Sequence, residues 1–199
     1  MNQTGPQQPE LKLRAATSAE WTKAVISDFN TFLLDHAAAE KKASGMAVSM
    51  LSHYPDKPEL VKAMIDLSIE EMTHFREVVK LLSARGLQLT PDTKDHYVNA
   101  LRKLVRTGSD AYLLDRLLIA GVIEARGCER FALVAEALED GKLKQFYRAI
   151  AQSESRHHEL FVRLACTYFD YHQVEQRLDE LLAREAEVMR KLPITAALH

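Results

Sequence analysis

Glu71-Met72-Thr73-His74 and Glu154-Ser155-Arg156-His157 are two copies of one pattern, a carboxylate and an imidazole three residues apart. On a helix, residues at that spacing project from one side. Each copy has a glutamate upstream on an apolar helical stripe: Glu40 lies 31 residues before Glu71, and Glu124 lies 30 before Glu154. In an antiparallel hairpin two residues stand level when they are equally far from the turn, because both helices climb about 1.5 Å per residue. The midpoint of Glu40 and Glu71 falls at Pro55, and that of Glu124 and Glu154 falls beside Asp140-Gly141. Both pairs are therefore level across segments that break helices. The tetrapeptide alone is weak evidence, since a chain with eight histidines meets it by chance. Its duplication, each copy matched to a glutamate across a turn, is what constrains the fold to two helical hairpins.

Four glutamates and two histidines drawn from four helices are the ligand set of a carboxylate-bridged two-metal site in a helix bundle. Left alone, converging carboxylates in a core suffer desolvation and mutual repulsion, and some would protonate. Two divalent cations supply about four positive charges against four negative ones. Glu40, Glu71, His74, Glu124, Glu154 and His157 are thus the expected ligands. Carboxylates with one imidazole per metal suit iron or manganese better than a thiolate-seeking metal.

The rest of the chain agrees with a helical protein. Its 199 residues suit a single domain, and 47% hydrophobic content with seven Gly and six Pro favours helix. No segment alternates with a period of two for long enough to mark a strand. A net charge of −2 excludes a globally basic nucleic-acid binder and leaves room for a local basic face. Cys128 and Cys166 form no Cys-x-x-Cys pair, so a reduced, cytoplasmic setting is expected. The polar N-terminus is no signal peptide, and no apolar run approaches the roughly 20 residues that span a bilayer.

In chain order, residues 1–16 read as a flexible arm. Thr17 is expected to cap a helix, with Glu20 completing a capping box, and that helix to run to about Leu51. Pro55 and Pro58 interrupt it. A second helix is expected from about Glu59 to Arg85, stopped by Gly86, then a crossover with a short helix over about Lys94 to Arg106. The third helix covers about Ala111 to Glu139 and the fourth about Lys142 to Phe169. A last amphipathic helix, His172 to about Arg190, packs outside the bundle, and the residues from Pro193 fray.

Other residues near the pattern have bland readings. Glu70, Glu77, Glu129 and Glu159 fall off the stripe. His36, one turn before Glu40, and His158 read as ordinary histidines, with a supporting contact to a ligand as the other reading. Tyr147 reads as core packing. Gly121, Gly127 and Cys128 beside Glu124 give either close helix packing or space next to the metals.

The segments Asp35-His36-Ala37-Ala38-Ala39-Glu40-Lys41-Lys42-Ala43, Ile69 to Phe75, Glu124 to Arg130 and Ser153 to His158 resemble the ferritin-like di-iron carboxylate superfamily and, within it, the tRNA-modifying MiaE hydroxylases. The likeness covers nearly the whole chain. It implies an all-α, ferritin-like four-helix bundle of two antiparallel hairpins, with a crossover containing a short helix and an extra C-terminal helix. Residues 17–199 would form that single domain. It further implies two iron ions on the six residues named, Glu71 and Glu154 bridging, with dioxygen as co-substrate and electrons from an external reductase. The implied activity is hydroxylation of the isopentenyl side chain of 2-methylthio-isopentenyladenosine, next to the anticodon of tRNA. Such an enzyme needs an apolar slot for the prenyl tail and a cationic face for phosphates. Lys41, Lys42, Arg85, Arg102, Lys103, Arg106, Arg126 and Arg130 are the candidates for that face. The alternatives are a ferritin- or rubrerythrin-like iron-oxidising protein and a non-catalytic helical interaction module.

Overall fold

The computed structural model describes residues 8–199, so the first seven residues of the expected arm lie outside the described residues. Among the described residues there are seven helices and no strand: α1 (Ala19–Ser27), α2 (Phe29–His53), α3 (Pro58–Ala84), α4 (His96–Arg102), α5 (Ser109–Ala137), α6 (Lys142–Tyr168) and α7 (Tyr171–Lys191). The expected all-α, ferritin-like class is observed. The chain divides into two compact units. One holds Ser18–Lys94 and Ile194–Leu198, the other the residues up to Thr17, Asp95–Pro193 and His199.

In the first unit α2 and α3 form an antiparallel hairpin. The expected single first helix is two helices. Asp28 interrupts it because its carboxylate turns back to accept from the Thr31 N–H at 3.2 Å and so caps α2. The cap of α1 is Ser18, whose hydroxyl accepts from Trp21 N, and not Thr17. Thr17 is drawn away by Glu129, which accepts from both its N–H and its hydroxyl. Pro58 opens α3 at a position where its missing N–H costs nothing. The end of α3 has Gly86 at φ +71°, with Leu87 N donating to Leu82 O at 3.0 Å, a conformation that a side chain at residue 86 would strain.

The tail from Pro193 does not fray. Trp21 Nε1 donates to Ala197 O at 2.9 Å, and Leu198 N donates to the Asp35 carboxylate at 2.7 Å with the Leu198 side chain buried. In the other unit, His199 stacks on Tyr97 with ring centroids 5.1 Å apart.

In that second unit α5 and α6 form the other hairpin, and α7 lays its apolar face, including Val174, Leu178 and Leu181, against its own unit. The short helix α4 stops at Arg102, four residues before the expected end. Arg106 cannot continue it because its N–H, Nε and Nη2 all donate to the buried carboxylate of Asp115, which Arg177 of α7 also holds. Residues 9–17 form neither helix nor strand and bend at Arg14 and Ala15, and Pro9, Leu11, Leu13 and Ala15 are less exposed than the neighbours between them. The Ala15 carbonyl accepts from Arg126 Nη2 at 2.8 Å.

Candidate metal centre

The α2–α3 hairpin buries Glu40 and Glu71 and leaves His74 only slightly exposed. His74 turns Nδ1 toward both carboxylates, 3.5 Å from Glu40 Oε2 and 3.6 Å from Glu71 Oε2. Each of the three residues places a ligand atom within 4.8 Å of the other two. The α5–α6 hairpin repeats the arrangement. Glu124, Glu154 and His157 are buried, and His157 Nδ1 stands 3.1 Å from Glu154 Oε2 and 4.0 Å from Glu124 Oε2. In both hairpins the same ring nitrogen faces the same pair of carboxylates. The turns explain why: Tyr54–Lys57 and Leu138–Gly141 are the short connections that set Glu40 level with Glu71 and Glu124 level with Glu154.

The donor chemistry of each trio fits a divalent cation. Two ionised carboxylates a few ångströms apart and out of water are unfavourable without positive charge between them. A neutral imidazole nitrogen with carboxylate oxygens suits iron, manganese or zinc, and no thiolate competes. Cys128, one turn past Glu124, donates its thiol to Ala151 O at 3.3 Å. Burial, followed by the charges of Glu154 and Glu129, pushes that thiol up to about 11 and keeps it protonated.

The residues around the trios sort clearly. His36, read from sequence as an ordinary histidine, is fully buried and donates Nε2–H to Glu40 Oε1 at 2.6 Å, since an ionised carboxylate can only accept. Tyr147 is core, packed on Phe131 and Phe146. Gly121 is a packing glycine: a Cβ there would stand 3.2 Å from Phe161 Cβ and 3.3 Å from Leu11. His158 is half-buried, and burial lowers its pKa. Glu129 is tied to Arg126 and Thr17, and Glu77 to Lys80 and Arg76.

Three of the eight basic candidates are engaged within the fold. Arg126 is 0% exposed and bonds Glu185 through Nε at 2.9 Å and Nη2 at 2.7 Å, while Tyr97 donates to the same oxygen. Arg130 is buried beside it, and burial together with Arg126 pulls its pKa down to about 10. Arg106 is committed to Asp115. The sequence signal that was missed is Glu185 on the apolar face of α7, a carboxylate that needed a cation opposite it. Lys41, Lys42, Arg85, Arg102 and Lys103 remain on the exterior.

An apolar groove of about 620 Å³ runs along α3 past Ser44, Ser68, Ile69, Met72, Phe75 and Val79. Ile69 is 62% exposed and Glu71 only 1%, so the groove and the carboxylate occupy different faces of the helix. Among the described residues, no helix is long and apolar enough to cross a membrane.

Comparison with known proteins agrees with this chemistry. A family model described as tRNA-(MS[2]IO[6]A)-hydroxylase (MiaE) matches residues 7–199. A tRNA 2-(methylsulfanyl)-N(6)-isopentenyladenosine(37) hydroxylase of Pseudomonas putida is 34% identical over 178 residues, which is 89% of this chain and 86% of that one. A hydroxylase of the same name from Salmonella typhimurium is 34% identical over 131 residues, 66% of this chain and 48% of its own length. Among solved structures, a protein from Synechococcus titled Protein 43 with aldehyde deformylating oxygenase activity superposes with a TM-score of 0.88 at 35% identity, covering 92% of each chain. With a family match that reaches the last residue and a relative covered over most of its length, the chain belongs to the tRNA-(MS[2]IO[6]A)-hydroxylase (MiaE) family of enzymes.

Proposed function

We propose that this enzyme is an oxygen-dependent di-iron monooxygenase that hydroxylates the isopentenyl side chain of 2-methylthio-isopentenyladenosine in tRNA, next to the anticodon. The observation that carries the reading is the duplicated trio: two carboxylates and an imidazole Nδ1 gathered in each hairpin, in a chain matched along its length by the hydroxylase family. Glu40, Glu71 and His74 of one unit and Glu124, Glu154 and His157 of the other would hold two iron ions. Iron so held supplies the reductive activation of dioxygen, with two electrons delivered by an external reductase.

The balance is one prenyl C–H bond, one dioxygen, two electrons and two protons in, one C–OH group and one water out. The chain's own residues have three tasks. The six ligands cancel their repulsion by holding cations and fix where oxygen chemistry occurs. Apolar neighbours such as Phe161 exclude water from the α5–α6 half. Exposed cations bind tRNA phosphates, while a loop base turned out of its stack brings the prenyl group inward. A cytoplasmic enzyme with access to tRNA and to a reductase fits these needs.

The test supplies the iron-loaded protein with a reductase system, dioxygen and tRNA carrying the methylthio-isopentenyl base. Nucleoside mass spectrometry should show a gain of one oxygen atom on that base. A fully loaded enzyme giving no such product would sink the substrate assignment and leave the metal ligands standing. The Synechococcus likeness supplies the comparison substrate: turnover of an aldehyde but not of tRNA would assign the enzyme to aldehydes instead.

A further inference from the structure

The groove along α3 has no task in the chemistry above, and its lining lies wholly within the unit that holds Ser18–Lys94. Its hydroxyls are all spent on the backbone. Ser44 Oγ donates to Ser68 O at 2.9 Å, Ser68 Oγ to Ile65 O at 2.8 Å and Thr73 Oγ1 to Ile69 O at 2.8 Å. The groove therefore presents carbon, and Ile65, Ile69 and Met72 stand exposed along it at helical spacing. Contiguous exposed apolar surface of this kind marks a place where another molecule binds. Among the described residues that line the groove, Arg76 alone is charged, with its side chain 65% exposed. Its Nε donates to Glu77 at 3.4 Å, while Lys80 holds the same carboxylate oxygen more closely at 2.8 Å. The rest of the guanidinium is open to a partner's carboxylate.

We propose that this groove is the docking surface of the enzyme's electron donor, a small acidic one-electron carrier protein. The proposal rests on the monooxygenase reading above, which takes two electrons from outside: two reduced carriers lose one electron each per turnover, and dioxygen accepts both. Position, size and charge select this occupant. Met72 follows Glu71 in sequence, and Thr73 and Phe75 flank His74, so the groove backs onto two of the proposed ligands across the thickness of one helix, about 10 Å. Eight residues line the groove, whereas a stable complex uses roughly 20–30 on each side and redox encounters are among the smallest. A lasting dimer of this chain would need more surface than that. Arg76 at the edge of an apolar floor matches an apolar contact edged by a carboxylate. A carrier must also leave once its electron is given up, and a small patch with one solvent-screened charge lets it go.

The test binds oxidised plant-type ferredoxin to the full metal-free chain by calorimetry, then follows oxidation of reduced ferredoxin by the iron-loaded protein in a stopped-flow cell. Ile69→Glu and Arg76→Glu should each weaken binding about tenfold or more and slow ferredoxin oxidation by a like factor. Ile26→Glu, the same change at an exposed position on α1 outside the groove, should alter neither. Dithionite should reduce every iron-loaded variant as fast as wild type, because a small reductant needs no docking surface. If Ile69→Glu fails to fold by circular dichroism, Arg76→Glu carries the test. The proposal is overturned if wild type binds no ferredoxin, if the groove variants bind and oxidise it as wild type does, or if they also lose reduction by dithionite. A wild-type dimer in sedimentation that Ile69→Glu dissociates would give the groove to a second copy and overturn it too. Binding to metal-free protein needs no tRNA chemistry. Ferredoxin held through the groove by an enzyme that forms no hydroxylated tRNA would therefore remove the proposed substrate and leave the docking surface.

Discussion

Glu71 is 1% exposed and shares its hairpin interior with Glu40, so a negative charge on it in metal-free protein is a source of instability that a bound cation would relieve. Glu71→Gln removes that charge at nearly constant shape. The metal-free variant is expected to melt at or above the wild-type temperature, although a buried side chain has been altered. Added metal should then stabilise wild type by about 2.7 kcal/mol at one hundred times the dissociation constant. The variant should gain far less. Thermal unfolding with a chelator, and then with Fe²⁺ under nitrogen, reads both halves of this expectation, and equal metal-induced shifts in the two proteins would remove Glu71 from the site. Residues like Glu71 were legible because an apolar stripe with one charge at its centre needs an explanation. His36 was visible in the sequence one turn from Glu40, but which of its atoms meets which oxygen is a matter of side-chain direction that spacing does not encode. Arg126 misled for a similar reason. It is two residues past Glu124 and so points to the opposite side of α5, which looks like a solvent face until α7 and residues 9–17 are found covering it.

Helix α5 is buried on nearly every side, and the interactions that hold its flanks are ionic as well as apolar. Arg126 and Glu185 are both fully enclosed, with Tyr97 donating to Glu185 Oε1 at 3.0 Å. Burial raises the Tyr97 pKa well above its ordinary value, so it stays a donor. Breaking such a pair strands a charge: Arg126→Met is expected to cost about 3–5 kcal/mol in denaturant unfolding, and adding Glu185→Leu should recover most of the loss. A double variant as unstable as the single one would show that the loss comes from packing. Asp115 makes a second ionic tie. Burial acts to raise its pKa, but hydrogen bonds from Arg106 and Arg177 outweigh it and hold the carboxyl below its ordinary value. A depressed carboxyl contributes its stability above the unfolded value of about 3.9 and loses it as pH falls through the folded one. Wild type should therefore lose stability steeply below about pH 4, and Asp115→Asn should flatten that part of the profile. The helices themselves were legible from periodicity and from Pro55, Gly86 and Gly141. Their ends moved where a side chain from another helix competed for them, as Glu129 did for Thr17 and Asp115 for Arg106.

With a net charge of −2, the molecule as a whole gives a polyanion no general attraction, so tRNA binding depends on which of its 26 cations are spare. The structure sorts them. Arg126, Arg130, Arg106 and Arg177 serve the interior, and Lys41, Lys80 and Arg184 have carboxylates beside them on the exterior. Arg102 and Lys103, adjacent and exposed at the end of α4, form no ion pair among the described residues, and neither do Arg148 and Arg163 on α6. Arg102 and Lys103 would therefore engage phosphate without an internal bond having to be given up first. Each phosphate contact releases condensed counterions and adds about 0.7–0.9 to the slope of log affinity against log salt. Replacing both residues with Gln should weaken binding of an anticodon stem-loop at low salt and reduce that slope by about 1.4 to 1.8. Arg184→Gln, which removes a cation already paired with Glu187, should leave the slope alone. Fluorescence anisotropy across a salt series measures wild type and each variant. A slope that moves only with Arg148→Gln/Arg163→Gln would put the phosphate contacts on α6, because a spare cation can strengthen binding only where the RNA backbone passes.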